Sequence, residues 1–155
     1  MESPQTHQWG PALWMILHSS AERIGSIQVK YLQHEEHRLW TGLLSSLRYS
    51  LPCPQCKKHY QEYYSNHPIN EISYSFIRNW LFQLHNQVNS RNNKENSITI
   101  DNLGEIYSKP FHFSRYNGIV MKHMKLAMAH NWCSRDDIQR TTRLFEEMKR
   151  FYDFF

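Results

Sequence analysis

Cys53 and Cys56 stand two residues apart in Leu51-Pro52-Cys53-Pro54-Gln55-Cys56-Lys57-Lys58-His59-Tyr60. Pro54 suits the first turn of a helix, so both sulfurs fall at its amide-rich, positive end. Free N–H groups there stabilise a thiolate and lower its pKa, and Lys57 and Lys58 add positive charge. A low-pKa thiol leaves readily in thiol–disulfide exchange, which suits a pair that cycles between dithiol and disulfide. The competing chemistry is half of a zinc site. Zinc needs four ligands, and His59, His67 or His85 could be recruited, although no spacing here resembles a zinc motif. Cys133 is alone, and three cysteines cannot make a fully paired disulfide framework.

Two further groups of residues have spacing that could hold a ligand. In Trp9-Gly10-Pro11-Ala12-Leu13-Trp14-Met15-Ile16-Leu17-His18, Trp14 and His18 lie one helical turn apart. In Trp80-Leu81-Phe82-Gln83-Leu84-His85-Asn86-Gln87-Val88-Asn89, His85 and Asn89 repeat that interval. An imidazole beside a carboxamide can grip a heteroaromatic group by stacking and hydrogen bonds. Ordinary amphipathic core helices account for either segment equally well.

The elements that must carry these residues are helices. Apolar spacing is helical almost throughout, and Gly and Pro are sparse, at 5 and 6 residues. Helices are expected over about 11–24, with Pro11 in the first position, over 35–50 with Pro52 as the stop, from 53 to 66, and over 73–89. A polar, Asn-rich loop at 90–97, a short helix at 101–107 and two more helices over 114–131 and 134–152 complete the chain. Strand signals are weak, so the fold class is all-α. The charge of +4 is spread among acidic residues and leaves no basic tract for nucleic acid. Residues 1–8 are polar, and no run approaches the ~20 apolar residues of a membrane span. A cytoplasmic protein, with no membrane association, is expected.

Taken together and in order, Trp-Gly-x-x-x-Trp-x-x-Leu-His, Pro-Cys-x-x-Cys and His-Asn-x-Val-Asn resemble the Erv/ALR sulfhydryl oxidases, from Trp9 to about Tyr107. The resemblance implies a four-helix bundle with a short fifth helix around FAD, in residues 1–108. Residues 109–155 would form a C-terminal extension of about two helices, packed on the core or in an interface. It further implies a thiol oxidase that takes electrons from substrate dithiols through Cys53–Cys56 to FAD and then to O2, giving H2O2. Cys53 would be the more exposed sulfur and meet substrate, while Cys56 would sit against the flavin. Carried over by position, Trp9, Gly10, Trp14 and His18 line the flavin side, with Tyr60 near the cofactor. His85, Asn86, Val88 and Asn89 hold adenine and ribose, with Lys94 near the phosphates and Tyr107 where the family usually has an adenine-stacking Trp. No resident metal is implied.

Several positions depart from the family pattern. Phe82 stands where many members have the first Cys of a structural disulfide, Asn92 replaces a common Leu, and no second shuttle pair is present. These features resemble the compact enzymes of large cytoplasmic DNA viruses, whose expected place is the host cytoplasm or the virion. The expected partners are a dithiol protein substrate (a thioredoxin-like or virion redox protein), molecular oxygen and a second copy in a homodimer. Cys133 is expected to be a buried free thiol, and the aromatic run Phe151–Phe155 to pack in the core. A zinc-binding adaptor using Cys53, Cys56 and histidines, and a flavin-free thiol–disulfide carrier, remain as alternatives.

Overall fold

A computed structural model describes all 155 residues. Its elements are α1 (Thr6–Ala21), α2 (Lys30–Ser50), α3 (Pro54–Asn66), α4 (Tyr74–Arg91), a 3-10 turn (Ile100–Asn102), α5 (Leu103–Tyr107), α6 (Phe113–Ala129) and α7 (Arg135–Phe151), with no strand. The all-α class is as expected. No helix is long and apolar enough to cross a membrane.

Locally coded boundaries fall where the sequence puts them. Ser73 Oγ accepts the Phe76 N–H at 3.2 Å and Ser134 Oγ that of Asp137 at 3.1 Å, each satisfying an otherwise orphaned donor. Two helix starts differ. α1 begins at Thr6, so Pro11 lies inside it rather than opening it. Gln5 offers no side-chain cap. His123 of α6 supplies one instead, accepting the Gln5 N–H on Nδ1 at 3.0 Å and donating from Nε2 to Gln8 Oε1 at 3.0 Å. α2 begins at Lys30 rather than 35; its first turn is largely exposed and carries little apolar periodicity to read.

The most extensive helix contacts are α2 with α7 and α1 with α6; α3 lies on α2, and α4 and α5 lie on α1. One apolar cluster joins Trp9 and Ile16 of α1, Trp40 and Leu43 of α2, Phe113 of α6 and Phe145 of α7. Residues from both sides of position 108 thus share one core. Leu103 and Tyr107 of α5 are buried outside that cluster.

In the closing aromatic run, Phe151, Tyr152 and Phe154 pack against the core while Phe155 is exposed. Tyr152 fixes the end of α7. Its hydroxyl accepts from Trp40 Nε1 at 3.0 Å and donates to the buried Glu36 carboxylate, which also accepts the Gly25 N–H at 3.3 Å.

Candidate active site

Pro52 ends α2, and the chain turns through Cys53 in extended conformation to start α3 at Pro54. Cys53 is the N-cap of α3, and its sulfur accepts the Cys56 N–H at 3.2 Å. The first turn of α3 therefore presents its N–H groups to a sulfur, the placement that stabilises negative charge. Both sulfurs are half-buried. The Cys56 thiol donates to Cys53 and, with the Cys56 and Gln55 N–H groups and the Lys57 charge, outweighs burial and draws Cys53 down to about 6. Cys56 is pushed up, because its S–H donates a hydrogen bond to Cys53, it is partly buried and it faces the charge on Cys53. In the dithiol, then, the negative charge resides on Cys53.

The α6–α7 corner buttresses this turn. Lys57 Nζ donates to the Trp132 carbonyl. The Leu51 carbonyl accepts the Cys53 N–H at 2.8 Å and the Cys133 thiol at 3.4 Å. Cys133 is buried and free, and burial raises its pKa.

A second cluster forms between α1, α4 and α5. The Trp14 and His85 rings stack at 4.0 Å and 5°, His18 Nε2 and His85 Nδ1 are hydrogen-bonded at 2.9 Å, and Tyr107 stacks on His18 at 4.7 Å. The four flat side chains make a continuous wall. Burial lowers His18 to about 3, helped by the neighbouring imidazole and Arg78, and lowers His85 to about 4, helped by Lys94. Both imidazoles are neutral near pH 7. They offer hydrogen bonds and faces rather than charge.

A cavity of about 70 Å³ opens beside this wall, lined by His18, Phe82, His85, Asn86, Asn89 and Tyr107 among others. α4 ends at Arg91, and Asn93 adopts a left-handed φ of 57°, a conformation Asn tolerates better than most residues. That turn brings the Lys94 N–H back to the Asn89 carbonyl at 2.8 Å.

Trp14, His18, His85, Asn86, Asn89 and Tyr107 are thus brought to one place. The other residues singled out by sequence lie apart from this wall. Trp9 is buried in the core with its indole N–H unpartnered, and Gly10 faces Thr6 within α1. Tyr60 is buried, donates to the Leu44 carbonyl and packs on Tyr64 and Trp80. Val88 packs half-buried against the core, and Lys94 is exposed, close enough to depress His85.

Sequence reasoning missed Glu22 and Arg78, an ion pair at 2.6 Å with little exposure, whose Arg78 charge reaches His18. It also missed Arg23, which binds the Tyr107 carbonyl at 2.8 Å. A charged residue at the end of an apolar stripe was the available signal.

Residues 11–108 match the sequence pattern of the Erv1 / Alr family. The chain belongs to the Erv1/Alr family. A relative from Frog virus 3 (isolate Goorha), named "Putative FAD-linked sulfhydryl oxidase 088R", is 32% identical over 93 residues, covering 56% of this chain and 57% of that protein. This Erv1/Alr chain therefore spans just over half the length of that viral relative. No solved structure matches it.

Proposed function

We propose that the chain is an FAD-dependent sulfhydryl oxidase that introduces disulfides into protein substrates, with Cys53–Cys56 as its redox pair. The observation that carries this reading is Cys53 as N-cap of α3, its sulfur held at about 6 by the thiol and N–H of Cys56. A stabilised thiolate favours the reduced form, so the disulfide is a ready electron acceptor. The family and the name of the Frog virus 3 relative support the same chemistry.

The donor set suits FAD. Trp14, His18, His85 and Tyr107 offer flat faces, the neutral imidazoles and the Asn86 and Asn89 carboxamides offer hydrogen bonds, and Lys94 offers a charge for phosphate. We assign Trp9, Gly10, Trp14, His18 and Tyr60 to the flavin side, and His85, Asn86, Val88, Asn89 and Tyr107 to adenine and ribose. A cavity of about 70 Å³ beside these side chains admits a small part of a dinucleotide.

A substrate thiolate attacks Cys53 Sγ, the Cys53–Cys56 bond breaks, and Cys56 leaves as thiolate. Cys56 is raised in the dithiol by its hydrogen bond to Cys53, by burial and by the charge on Cys53; the first and last are absent once Cys53 is in a mixed disulfide, while burial remains. The second substrate thiolate then attacks the substrate sulfur, and Cys53 leaves as a thiolate that the Cys56 N–H at the start of α3 can still stabilise. The substrate departs as a disulfide and the pair has gained two electrons. FAD held by Trp14, His18, His85, Asn86 and Asn89 would supply the two-electron acceptor for the Cys53–Cys56 dithiol, with O2 as the final oxidant and H2O2 as the product. The substrate is a protein dithiol such as a thioredoxin-like or virion protein, met in the host cytoplasm or virion, and the enzyme acts as a homodimer.

A zinc adaptor would need two more ligands at the pair, and no group of three or more His, Cys, Asp or Glu side chains converges to hold a metal. The test is the absorption spectrum of purified protein, followed by oxygen consumption with dithiothreitol. A flavin spectrum and H2O2 production are expected. A colourless protein that binds no FAD sinks the proposal, and stoichiometric zinc would favour the adaptor.

A further inference from the structure

α5 has only five residues, too few to hold a helix by its own hydrogen bonds, and its buried Leu103 and Tyr107 lie outside the main core. Something else must hold the Tyr107 ring against His18. Arg23, just past the end of α1, makes that connection. Its Nη1 donates to the Ser19 carbonyl at 2.7 Å and the Tyr107 carbonyl at 2.8 Å, and its Nη2 to the Ser108 and Lys109 carbonyls at 3.2 and 3.1 Å.

These acceptors cluster at the carbonyl ends of α1 and α5, where a cation also meets the favourable end of each helix dipole. A guanidinium suits the task because its fixed fork serves several acceptors at once, which an ammonium on a flexible stem does not. Arg23 makes no salt bridge with a carboxylate, so its bonding is spent on backbone. The guanidinium is itself placed by two rings, Phe111 at 5.7 Å and Phe154 at 5.3 Å, which also touch each other at 4.9 Å. Both phenylalanines lie beyond the family-matched residues 11–108.

We propose that Arg23 is a positioning residue for the cofactor pocket. Clasped by Phe111 and Phe154, it fixes the 107–109 backbone, holds Tyr107 on His18, and makes the segment after residue 108 a determinant of how tightly FAD is retained. The inference rests on the FAD reading above and adds that retention depends on residues outside the family pattern.

The test is a double-mutant cycle in the full chain, read as the FAD dissociation constant from flavin fluorescence. Arg23→Gln should weaken FAD binding about tenfold, the loss expected when charged hydrogen bonds that hold the pocket wall are removed. Arg23→Lys should recover part of that loss. In a Tyr107→Leu background, Arg23→Gln should change little further, because its effect passes through Tyr107. A merely structural Arg23 would lower the melting temperature and leave FAD affinity alone, or would cost the same with and without Tyr107. Either result overturns the proposal.

Should Arg23→Gln fail to fold, Phe154→Leu keeps the apolar contact, removes one aromatic face and should weaken FAD about threefold through the same cycle. Unchanged affinity there overturns the proposal equally. Wild-type protein that binds no FAD overturns this inference together with the reading it rests on. Wild-type protein that binds FAD, with an additive cycle, overturns this inference alone.

Discussion

The sulfur of Cys53 accepts the backbone N–H of Cys56 at 3.2 Å, so the two members of the pair are electrostatically unequal before any substrate arrives. Cys53 should therefore alkylate first. Iodoacetamide modification of the reduced protein should follow an apparent pKa of about 6 at Cys53, with Cys56 protected at the same pH. Cys56→Ala removes the largest stabilising contact and should move the Cys53 profile up toward an ordinary thiol. Peptide mapping of the labelled cysteine decides it, and preferential labelling of Cys56 would contradict the assignment.

On the proposed relay, turnover needs both sulfurs. Cys53→Ser and Cys56→Ser should each abolish oxygen consumption with dithiothreitol while FAD stays bound. Near-normal oxidase rates in either single variant would refute the relay described above.

Cys133 has a different fate. Its thiol is buried and donates to the Leu51 carbonyl, a role that a serine hydroxyl can also fill. Cys133→Ser should keep dithiothreitol oxidation close to wild type and cost at most about 1 kcal/mol of stability, the usual worth of one such hydrogen bond. Loss of most activity with FAD and fold intact would place Cys133 in the electron path.

Acid should destabilise the fold through the histidine pair. His18 and His85 are held at about 3 and 4, below the roughly 6.5 of an unfolded imidazole. Between those values the unfolded chain binds more protons than the folded one, so stability falls as pH drops from about 6.5 toward 4. The fully buried His18 alone contributes about 1 kcal/mol per pH unit in that window. Melting temperatures from pH 7.5 to 4.5 should show the slope, and His18→Gln should flatten it. An equal slope in that variant would rule out His18 as its source.

Tyr152→Phe tests the anchorage of α7. Without the hydroxyl, buried Glu36 keeps only the Gly25 N–H, and Trp40 loses its acceptor. A loss of about 1–3 kcal/mol is expected in denaturant unfolding, the cost of leaving buried polar groups unpaired. A change under 0.5 kcal/mol, roughly the scatter of ordinary surface substitutions, would argue against this network.

Legibility followed the range of the interaction. Ser73, Ser134, Pro52 and Cys53 mark boundaries through groups a few residues away, so they can be read from sequence. The start of α1 cannot, since its cap is His123, 118 residues later. In the site, the one-turn spacing of Trp14 with His18 and of His85 with Asn89 was visible. That the two segments meet through a 2.9 Å contact between imidazoles is a fact of packing. The Leu51 carbonyl left no trace in the sequence because its function is carried by backbone. Arg23 was overlooked because its acceptors are carbonyls, which every residue has.

The pairing of α1 with α6 and of α2 with α7 has a kinetic side. Helical proteins usually fold fast because their contacts are local, but the Trp40–Tyr152 bond spans 112 residues and Arg38–Glu147 spans 109. At a synthesis rate of about 5–20 residues per second, the apolar faces of α1 and α2 wait roughly 5–20 s on the ribosome before their partners emerge. During that interval the nascent chain presents apolar helix faces and the Cys53 and Cys56 thiols together, before α7 closes over α2.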